Sequence, residues 1–194
     1  MQFIIEIDKL KRILRRSYVT GEPRLENDAE HSWHLAVMVL LLREYACDPE
    51  IDLLRAVEMA LVHDLVEIHA GDTFLYDTDG AADKAKREQA AADELFSLLP
   101  DDQAAEFVSR WEEFEDGVTL EAKYVRALDR LHPMLLNREA LGRTWKEHGV
   151  TLDMALDVNI PIVRDGAPSL LEFAREVLLD SQERRYFADT SDEQ

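Results

Sequence analysis

Apolar residues recur at helical spacing along most of the chain. In the first such segment, about residues 3–18, four apolar residues between Ile4 and Leu14 share one face, and Gly21 follows. Alternating runs of Val, Ile and Thr, which are typical of strands, are missing from the sequence. The pattern therefore predicts an all-α protein whose first element is an amphipathic helix.

Capping and helix-breaking residues predict the bounds of further helices. The second helix begins at Asn27 or Asp28, which are both good N-caps. Pro49 suits the first position of the third helix, and Thr119 caps the sixth. Pro133 is expected to bend the sixth helix because it has no backbone N–H to donate. The helices predicted after the first cover about residues 27–42, 49–69, 81–99, 101–114, 119–142, 151–164 and 168–184.

Length and composition fit one compact domain. Of the 194 residues, 46% are hydrophobic and 32% are charged, while seven glycines and six prolines leave little room for a linker. We expect a single-domain helical bundle over residues 1–186, followed by an acidic tail over residues 187–194.

The net charge and the cysteine content limit which binding partners and which cellular compartment suit the protein. A formal net charge of −19 repels phosphate polymers, so nucleic acids and anionic membranes are poor partners. A small phosphorylated ligand can still enter a pocket that a few Arg or Lys side chains line. Cys47 is the single cysteine and suits a reducing compartment, and the sequence has neither a signal-like segment nor eighteen consecutive apolar residues. We therefore expect a cytoplasmic protein.

The segment MALVHDLVEIHAGDT, residues 59–73, carries polar side chains on a helix that is apolar on nearly every side. Its His63, Asp64 and Glu67 are expected to be buried, and a buried carboxylate needs a cation, a metal ion or a full set of hydrogen bonds. His63 and Asp64 can reach one ion from two sides, but they cannot complete its coordination sphere. Two further ligands are predicted from other helices: His31 in NDAEHSWH and Asp129 in AKYVRALDRLHP.

The order of these ligands along the chain matches a known family. The blocks E-H-S, H-D-x-x-E-x-x-x-G-D and A-x-D-R-L stand in that order. Together they resemble the HD-domain metal-dependent phosphohydrolases, most closely the compact branch with 5′-nucleotidase-like enzymes. The resemblance covers about residues 7–180 and implies an HD-type helical bundle.

The resemblance also implies a role for each candidate residue. One divalent ion (Mn, Co, Mg, Fe, Ni or Zn), with an open position for water, would be held by His31, His63, Asp64 and Asp129. Glu67 and Asp72 would assist proton transfer or hold the attacking water, while Arg16 and Arg126 would bind the phosphate. Only His69 lies between the HD pair and the last Asp, so one metal ion is expected, because dinuclear relatives need extra histidines there.

The implied reaction is hydrolysis of the phosphate monoester of a nucleoside 5′-monophosphate to nucleoside and inorganic phosphate, in a homodimer. Two alternatives stay open: hydrolysis of another phosphate ester, such as a nucleoside triphosphate or an alarmone, and a non-catalytic metal-binding regulatory module. Two further alternatives also stay open. Glu67 could be a supporting carboxylate that orients a metal-bound histidine, and Asp72 could only cap the turn after Gly71. His34 and His132 are interpreted as packing or supporting histidines rather than ligands.

Overall fold

The computed structural model of the protein describes residues 1–188, apart from the side chains of residues 78–82. Helices dominate this part of the chain, as the sequence predicts, and one short antiparallel hairpin joins them. The α-helices are α1 (Gln2–Glu6), α2 (Asp28–Leu41), α3 (Leu53–Val62), α4 (Glu67–Ala70), α5 (Thr78–Phe96), α6 (Asp101–Asp116), α7 (Leu120–Glu139), α8 (Arg143–Glu147), α9 (Leu152–Gly166) and α10 (Leu171–Glu183). The hairpin consists of β1 (Leu14–Tyr18) and β2 (Leu25–Asn27).

The prediction of one helix over residues 3–18 is wrong. Helix α1 ends at Glu6, a 3₁₀ segment covers Ile7–Arg12, and β1 follows. The expected apolar face does not hold, because Ile4 and Ile5 are exposed. Gly21 has a φ of 77° in the turn between β1 and β2, which is a conformation that glycine adopts at little cost. The chain therefore reverses direction where the helix was expected to end.

The start of α2 is confirmed by its capping geometry. The backbone N–H of Glu30 donates to Asn27 Oδ1 over 3.0 Å, and the backbone N–H of Asn27 donates to Glu30 Oε2 over 3.1 Å. This reciprocal pair is a capping box, which fixes where the first turn of the helix begins. His31 consequently lies in the first turn of α2, facing the interior.

Helix α3 differs from the prediction at both ends. It begins at Leu53 rather than Pro49, because Asp52 caps it by accepting from the backbone N–H of Arg55. It ends at Val62, and α4 follows after a short turn. The predicted stop at Gly71 is confirmed, since its φ of 77° ends α4.

Helix α7 is the central element of the fold. It contacts α2, α3, α6, α9 and α10, and its buried residues join one hydrophobic core with those of the neighbouring helices. Thr119 caps it as predicted, and the helix continues through Pro133 to Glu139. Gly166 lets α9 approach α7 closely, because a Cβ at Gly166 would lie 1.9 Å from the carbonyl oxygen of Lys123.

The last described residues pack against the body of the protein. Phe187 is buried and stacks on Trp145 with ring centroids 4.3 Å apart. The backbone N–H of Ala188 donates to the carbonyl of Val150 over 3.0 Å. The remainder of the predicted acidic tail, residues 189–194, lies outside the described residues. Within the described part, every helix is too short or too polar to cross a membrane.

Candidate metal centre

Four predicted ligands, from α2, α7 and the turn after α3, meet at one point in the interior. His31 Nε2 lies 3.1 Å from Asp129 Oδ1 and 3.8 Å from Asp64 Oδ2. His63 Nε2 lies 3.1 Å from Asp64 Oδ1 and 4.0 Å from Asp129 Oδ1. The structure therefore brings together, from α2, the end of α3 and α7, the residues that the sequence proposes as one ligand set.

The HD pair occupies a tight turn between α3 and α4, not the interior of a long helix. The backbone N–H of Leu65 donates to the carbonyl of Val62, and that of Glu67 donates to the carbonyl of Asp64, which are contacts of the 3₁₀ type. In this turn the imidazole and the carboxylate of the two adjacent residues meet, with His63 Nε2 3.1 Å from Asp64 Oδ1.

The orientation of His63 suits metal binding. Its Nδ1 lies 3.1 Å from the carbonyl oxygen of Ala60, so Nδ1 carries the hydrogen and donates it. The other nitrogen, Nε2, is buried and has no hydrogen-bond partner among the described residues. A buried ring nitrogen that makes no hydrogen bond, although Asp64 Oδ1 lies 3.1 Å from it, is costly unless a ligand completes it. An ion at this point would supply that partner.

The charges of the ligand set also fit a divalent cation. Burial alone would raise the pKa of Asp64, but His63 and Arg15 outweigh it and lower that pKa well below its usual range. The pKa of Asp129 is likewise lowered, chiefly by its hydrogen bond with His31, against the effect of burial. Burial lowers the pKa of His31 to about 4, so this imidazole stays neutral. Two carboxylates and two imidazoles suit several first-row divalent ions.

Sequence reasoning missed Arg15, the cation that already neutralises these acids. One guanidinium nitrogen lies 2.8 Å from Asp64 Oδ2 and 3.3 Å from Asp28 Oδ1. Arg15 stands in β1, which was expected to be helical, so its direction was not predictable from helical spacing. A turn signal, Gly21 followed closely by Pro23, separates β1 from β2 and favours a hairpin.

Three further acids form a cluster beside the ligand set. Carboxylate oxygens of Asp28, Glu67 and Asp72 lie within 4.8 Å of one another. Burial, together with Asp64 and Asp28, raises the pKa of Glu67 well above its usual value. Burial also raises the pKa of Asp72. Glu67 and Asp72, both predicted to act on protons, thus lie next to the ligands with pKa values shifted toward neutrality.

The predicted phosphate-binding arginines line the same cavity from two sides. This cavity has a volume of about 280 Å³, and Arg16 and Arg126 line it together with Asp64 and Asp129. Arg16 is exposed. Arg126 donates to the carbonyl oxygen of Glu115 over 2.8 Å, which holds its guanidinium in place. Both cations are therefore near the ligand set, although their pairing with a phosphate stays a prediction.

Glu26, in β2, is a buried residue beside the ligand set, and the sequence analysis did not predict it as a site residue. It is only 4% exposed, and burial raises its pKa to about 7, with Arg15 opposing the shift. Its carboxyl group is close to two histidines: Oε2 lies 3.9 Å from His31 Nδ1, and Oε1 lies 3.7 Å from His132 Nε2. A buried carboxyl of this kind favours its neutral form, which makes folding depend on pH.

Replacing Glu26 by Gln is expected to flatten the pH dependence of stability. The pKa of Glu26 rises from 4.5 when unfolded to about 7 when folded, so the folded state holds the proton more tightly. Its contribution is therefore present below about pH 4.5 and is lost as pH rises toward 7, by up to about 3 kcal/mol. Urea unfolding of both proteins at acidic and neutral pH measures this. If E26Q and the unmodified protein lose the same stability between acidic and neutral pH, the prediction is contradicted. The control is E22Q, because Glu22 is exposed.

Comparison with known proteins identifies relatives of this arrangement. The model of the HD domain family matches residues 7–171. A structure titled predicted metal-dependent phosphohydrolase, from Magnetospirillum magnetotacticum MS-1, has a TM-score of 0.92 and 49% identity and covers 97% of this chain and 94% of its own. The structure of a conserved hypothetical protein from Pyrococcus furiosus has a TM-score of 0.59 and 25% identity, and the match covers 94% of this chain and 98% of that protein.

Curated relatives carry the name 5′-deoxynucleotidase HDDC2. The Xenopus laevis protein is 33% identical over 136 residues, which are 70% of this chain and 66% of that protein. The Homo sapiens protein is also 33% identical over 136 residues, covering 70% and 65%. The match thus spans just under two thirds of the length of these relatives. The family match covers the whole ligand set and most of the fold, and this chain belongs to the HD domain family.

Proposed function

We propose that this protein is a metal-dependent phosphohydrolase that converts nucleoside 5′-monophosphates to nucleoside and inorganic phosphate. The observation that carries the proposal is the meeting of His31, His63, Asp64 and Asp129 beside a cavity with arginines on its walls. The relatives named 5′-deoxynucleotidase support a nucleotide as the substrate. The family resemblance supports one metal ion, whose identity stays open.

A divalent ion held by these four residues would lower the pKa of water and neutralise phosphate oxygens. The chain supplies the rest of the chemistry. Arg16 and Arg126 attract the phosphate into a cavity of an otherwise acidic protein, and Lys84 lines the same cavity. With Arg15 and Arg130, five cationic side chains line the cavity beside six acidic ones, so the cavity is far less negative than the net charge of −19 suggests, and a divalent ion would offset the remaining acids.

Glu67 and Asp72 are the candidates for moving the proton of the attacking water. Each is within reach of the ligand set, and each has a raised pKa because of burial and neighbouring acids. A cation next to Asp64 would counter the repulsion that adds to burial in raising these pKa values, and so would favour the ionised forms of Glu67 and Asp72 that can accept a proton. The other carboxyl group would hold the water by a hydrogen bond.

The test is a screen of ribo- and deoxyribonucleoside 5′-monophosphates with Mn²⁺, Co²⁺, Mg²⁺ and Zn²⁺. Release of inorganic phosphate and free nucleoside is expected with at least one ion. Product analysis of parallel reactions with nucleoside triphosphates distinguishes phosphate from pyrophosphate or tripolyphosphate. Bound metal without turnover of any nucleotide would remove the proposed substrate class and favour the regulatory alternative.

We further propose a homodimer formed through the outer face of α2. Four large apolar side chains are exposed at helical spacing along this face: Trp33, Val37, Leu40 and Leu41. Trp33 is 65% exposed and Leu41 is 73% exposed, and a contiguous apolar stripe of this kind is typical of an interface. Light scattering should therefore give twice the chain mass.

The substitution Trp33→Glu is expected to convert the dimer to a monomer, because it places a charge in the apolar stripe that the dimer would bury. Light scattering of the variant measures the change. Phe173→Glu, on the exposed surface of α10, is the control. A monomeric unmodified protein, or a W33E variant that stays dimeric, contradicts the proposal.

Charge and composition support the remaining partner proposals. The net charge of −19 argues against nucleic-acid polymers and anionic membranes as partners. We place the protein in the cytoplasm because its single cysteine suits a reducing compartment. Cell fractionation with an antibody against the protein tests the location, and recovery in a membrane or secreted fraction would contradict it.

A further inference from the structure

Three histidine rings contact one another in series behind the ligand set. His31 Nδ1 lies 2.8 Å from His132 Nδ1, and His132 Nε2 lies 2.9 Å from His34 Nδ1. His31 and His132 are 0% and 1% exposed, whereas His34 is partly exposed on α2. The chain of rings therefore connects a proposed metal ligand to the edge of the protein, through α7.

The proton positions in the metal-free protein follow from Asp129. A carboxylate only accepts hydrogen bonds, so His31 Nε2, 3.1 Å from Asp129 Oδ1, donates to it. Because the His31 ring is neutral, its Nδ1 is bare and accepts from the Nδ1–H of His132. His132 Nε2 is then bare as well and accepts from the Nδ1–H of His34.

An ion on His31 Nε2 requires the opposite arrangement. Nε2 must lose its hydrogen to bind the ion, so the hydrogen of the neutral ring moves to Nδ1. His31 Nδ1–H then donates to His132 Nδ1, and His132 Nε2–H donates to His34 Nδ1. Each contact is kept at the same pair of atoms, and only the direction of donation changes.

We propose that His31, His132 and His34 form a hydrogen-bonded relay whose direction reverses when the metal ion binds, and that His132 positions His31 as a ligand by accepting its Nδ1–H. The inference rests on the proposed metal centre. The protons balance as follows: His31 Nε2 releases one to solvent, the Nδ1 protons of His132 and His34 each pass to the next ring inward, and His34 Nε2 takes one from solvent. All three rings stay neutral throughout.

Glu26 also faces the relay, as do Asp129 and Asp64 on the ligand side of His31. Its oxygens lie 3.7 Å from His132 Nε2 and 3.9 Å from His31 Nδ1, which is beyond hydrogen-bond range. The ring-to-ring contacts of 2.8 and 2.9 Å are therefore the stronger partners. Glu26, His34 and His132 also have ligand atoms within 4.8 Å of one another, so a second ion at that point is the competing interpretation.

The direct test is ¹⁵N NMR of histidine-labelled full-length protein, first metal-free and then with one equivalent of Zn²⁺. Two-bond ¹H–¹⁵N spectra report which nitrogen of each ring carries hydrogen. We expect His34 to change from the Nδ1–H form to the Nε2–H form, with His132 changing in the same sense. An unchanged tautomer of His34 or His132 after zinc binding overturns the relay alone. A protein that binds no zinc overturns the metal centre and the relay together.

The number of zinc ions bound per chain, together with the state of His34 Nδ1, distinguishes the relay from a second metal site. We expect one zinc ion per chain. His34 Nδ1 should carry neither a hydrogen nor the metal, and it should accept a hydrogen bond from His132 Nε2–H. A zinc-ligated shift at His34 Nδ1 would mean that Glu26, His34 and His132 bind metal, and this result would overturn the relay; a second ion without that shift would belong to Asp28, Glu67 and Asp72 and leaves the tautomer test to decide.

A matched pair of variants tests the positioning role of His132. In His132→Asn the amide oxygen takes the place of Nδ1 and can accept from His31, whereas His132→Leu has nearly the same shape without an acceptor. We expect zinc affinity, measured by competition with a chromophoric chelator, to fall about 10- to 100-fold in H132L. In H132N the affinity should stay close to that of the unmodified protein. Equal losses in both variants, or no loss in H132L, would contradict the role, and thermal unfolding of both metal-free variants shows whether packing alone has changed.

Discussion

Asp129→Asn is expected to abolish phosphohydrolase activity and to strip the metal ion from the protein. The amide keeps the shape of the side chain but removes the negative charge that lies 3.1 Å from His31 and 4.0 Å from His63. The loss of a direct ligand should lower metal affinity more than the about 10- to 100-fold that supporting residues contribute. Elemental analysis of the dialysed protein and a phosphate-release assay measure the two effects.

Asp157→Asn is the matched control for this variant, because Asp157 is exposed on α9. It should keep both metal and activity. Should D129N retain its full metal content, Asp129 is not a ligand, and the ion is held by a different set of residues.

Glu67→Gln is expected to reduce turnover by about 10²- to 10⁴-fold while the metal content stays the same, because a positioned acid or base contributes an effect of this size. Gln keeps a hydrogen-bonding side chain in the buried position but can no longer take a proton from water. Steady-state kinetics together with elemental analysis separate the two quantities. The change is therefore expected in kcat rather than in metal occupancy.

Glu94→Gln, at a side chain that is 70% exposed on α5, controls for the loss of one negative charge. A parallel loss of metal and turnover in E67Q would instead assign Glu67 a structural role at the centre. Unchanged turnover in E67Q would leave Asp72 as the residue that moves the proton.

The parts of the structure that depend on local sequence were predictable. Asn27 with Glu30, and Thr119 ahead of α7, carry the chemistry of a helix start within three or four residues, so both starts were found. His63 and Asp64 were proposed as ligands because polar and charged residues inside an apolar segment need compensation, and the structure brings them close to His31 and Asp129. His31 and Asp129, far apart in the chain, became candidates because His63 and Asp64 cannot complete a coordination sphere alone, and the order of the family motifs supported the choice.

The parts that depend on tertiary contacts were not predictable. Arg15 was predicted to lie in a helix, because the apolar residues before it recur at helical spacing. In the structure Ile4 and Ile5 are exposed, so this spacing does not mark a buried helix face. The turn at His63 and Asp64 has no signal in the sequence, since the same residues would fit a continuous helix. The contact between His31 and His132 joins two helices about a hundred residues apart, and periodicity within one helix carries no information on it.

The position of Arg15 has a consequence for how the protein handles its ion. Its guanidinium is paired with Asp64 and Asp28 within the chain itself, so a permanent counter-charge accompanies the acids from the moment of folding. Chelation should therefore leave the fold intact, with a circular dichroism spectrum close to that of the loaded protein, although at a lower melting temperature because an ion that binds only the folded state stabilises it. A polypeptide that folds before it is loaded can exchange one divalent ion for another, and the ion it carries after purification would then reflect supply in the growth medium.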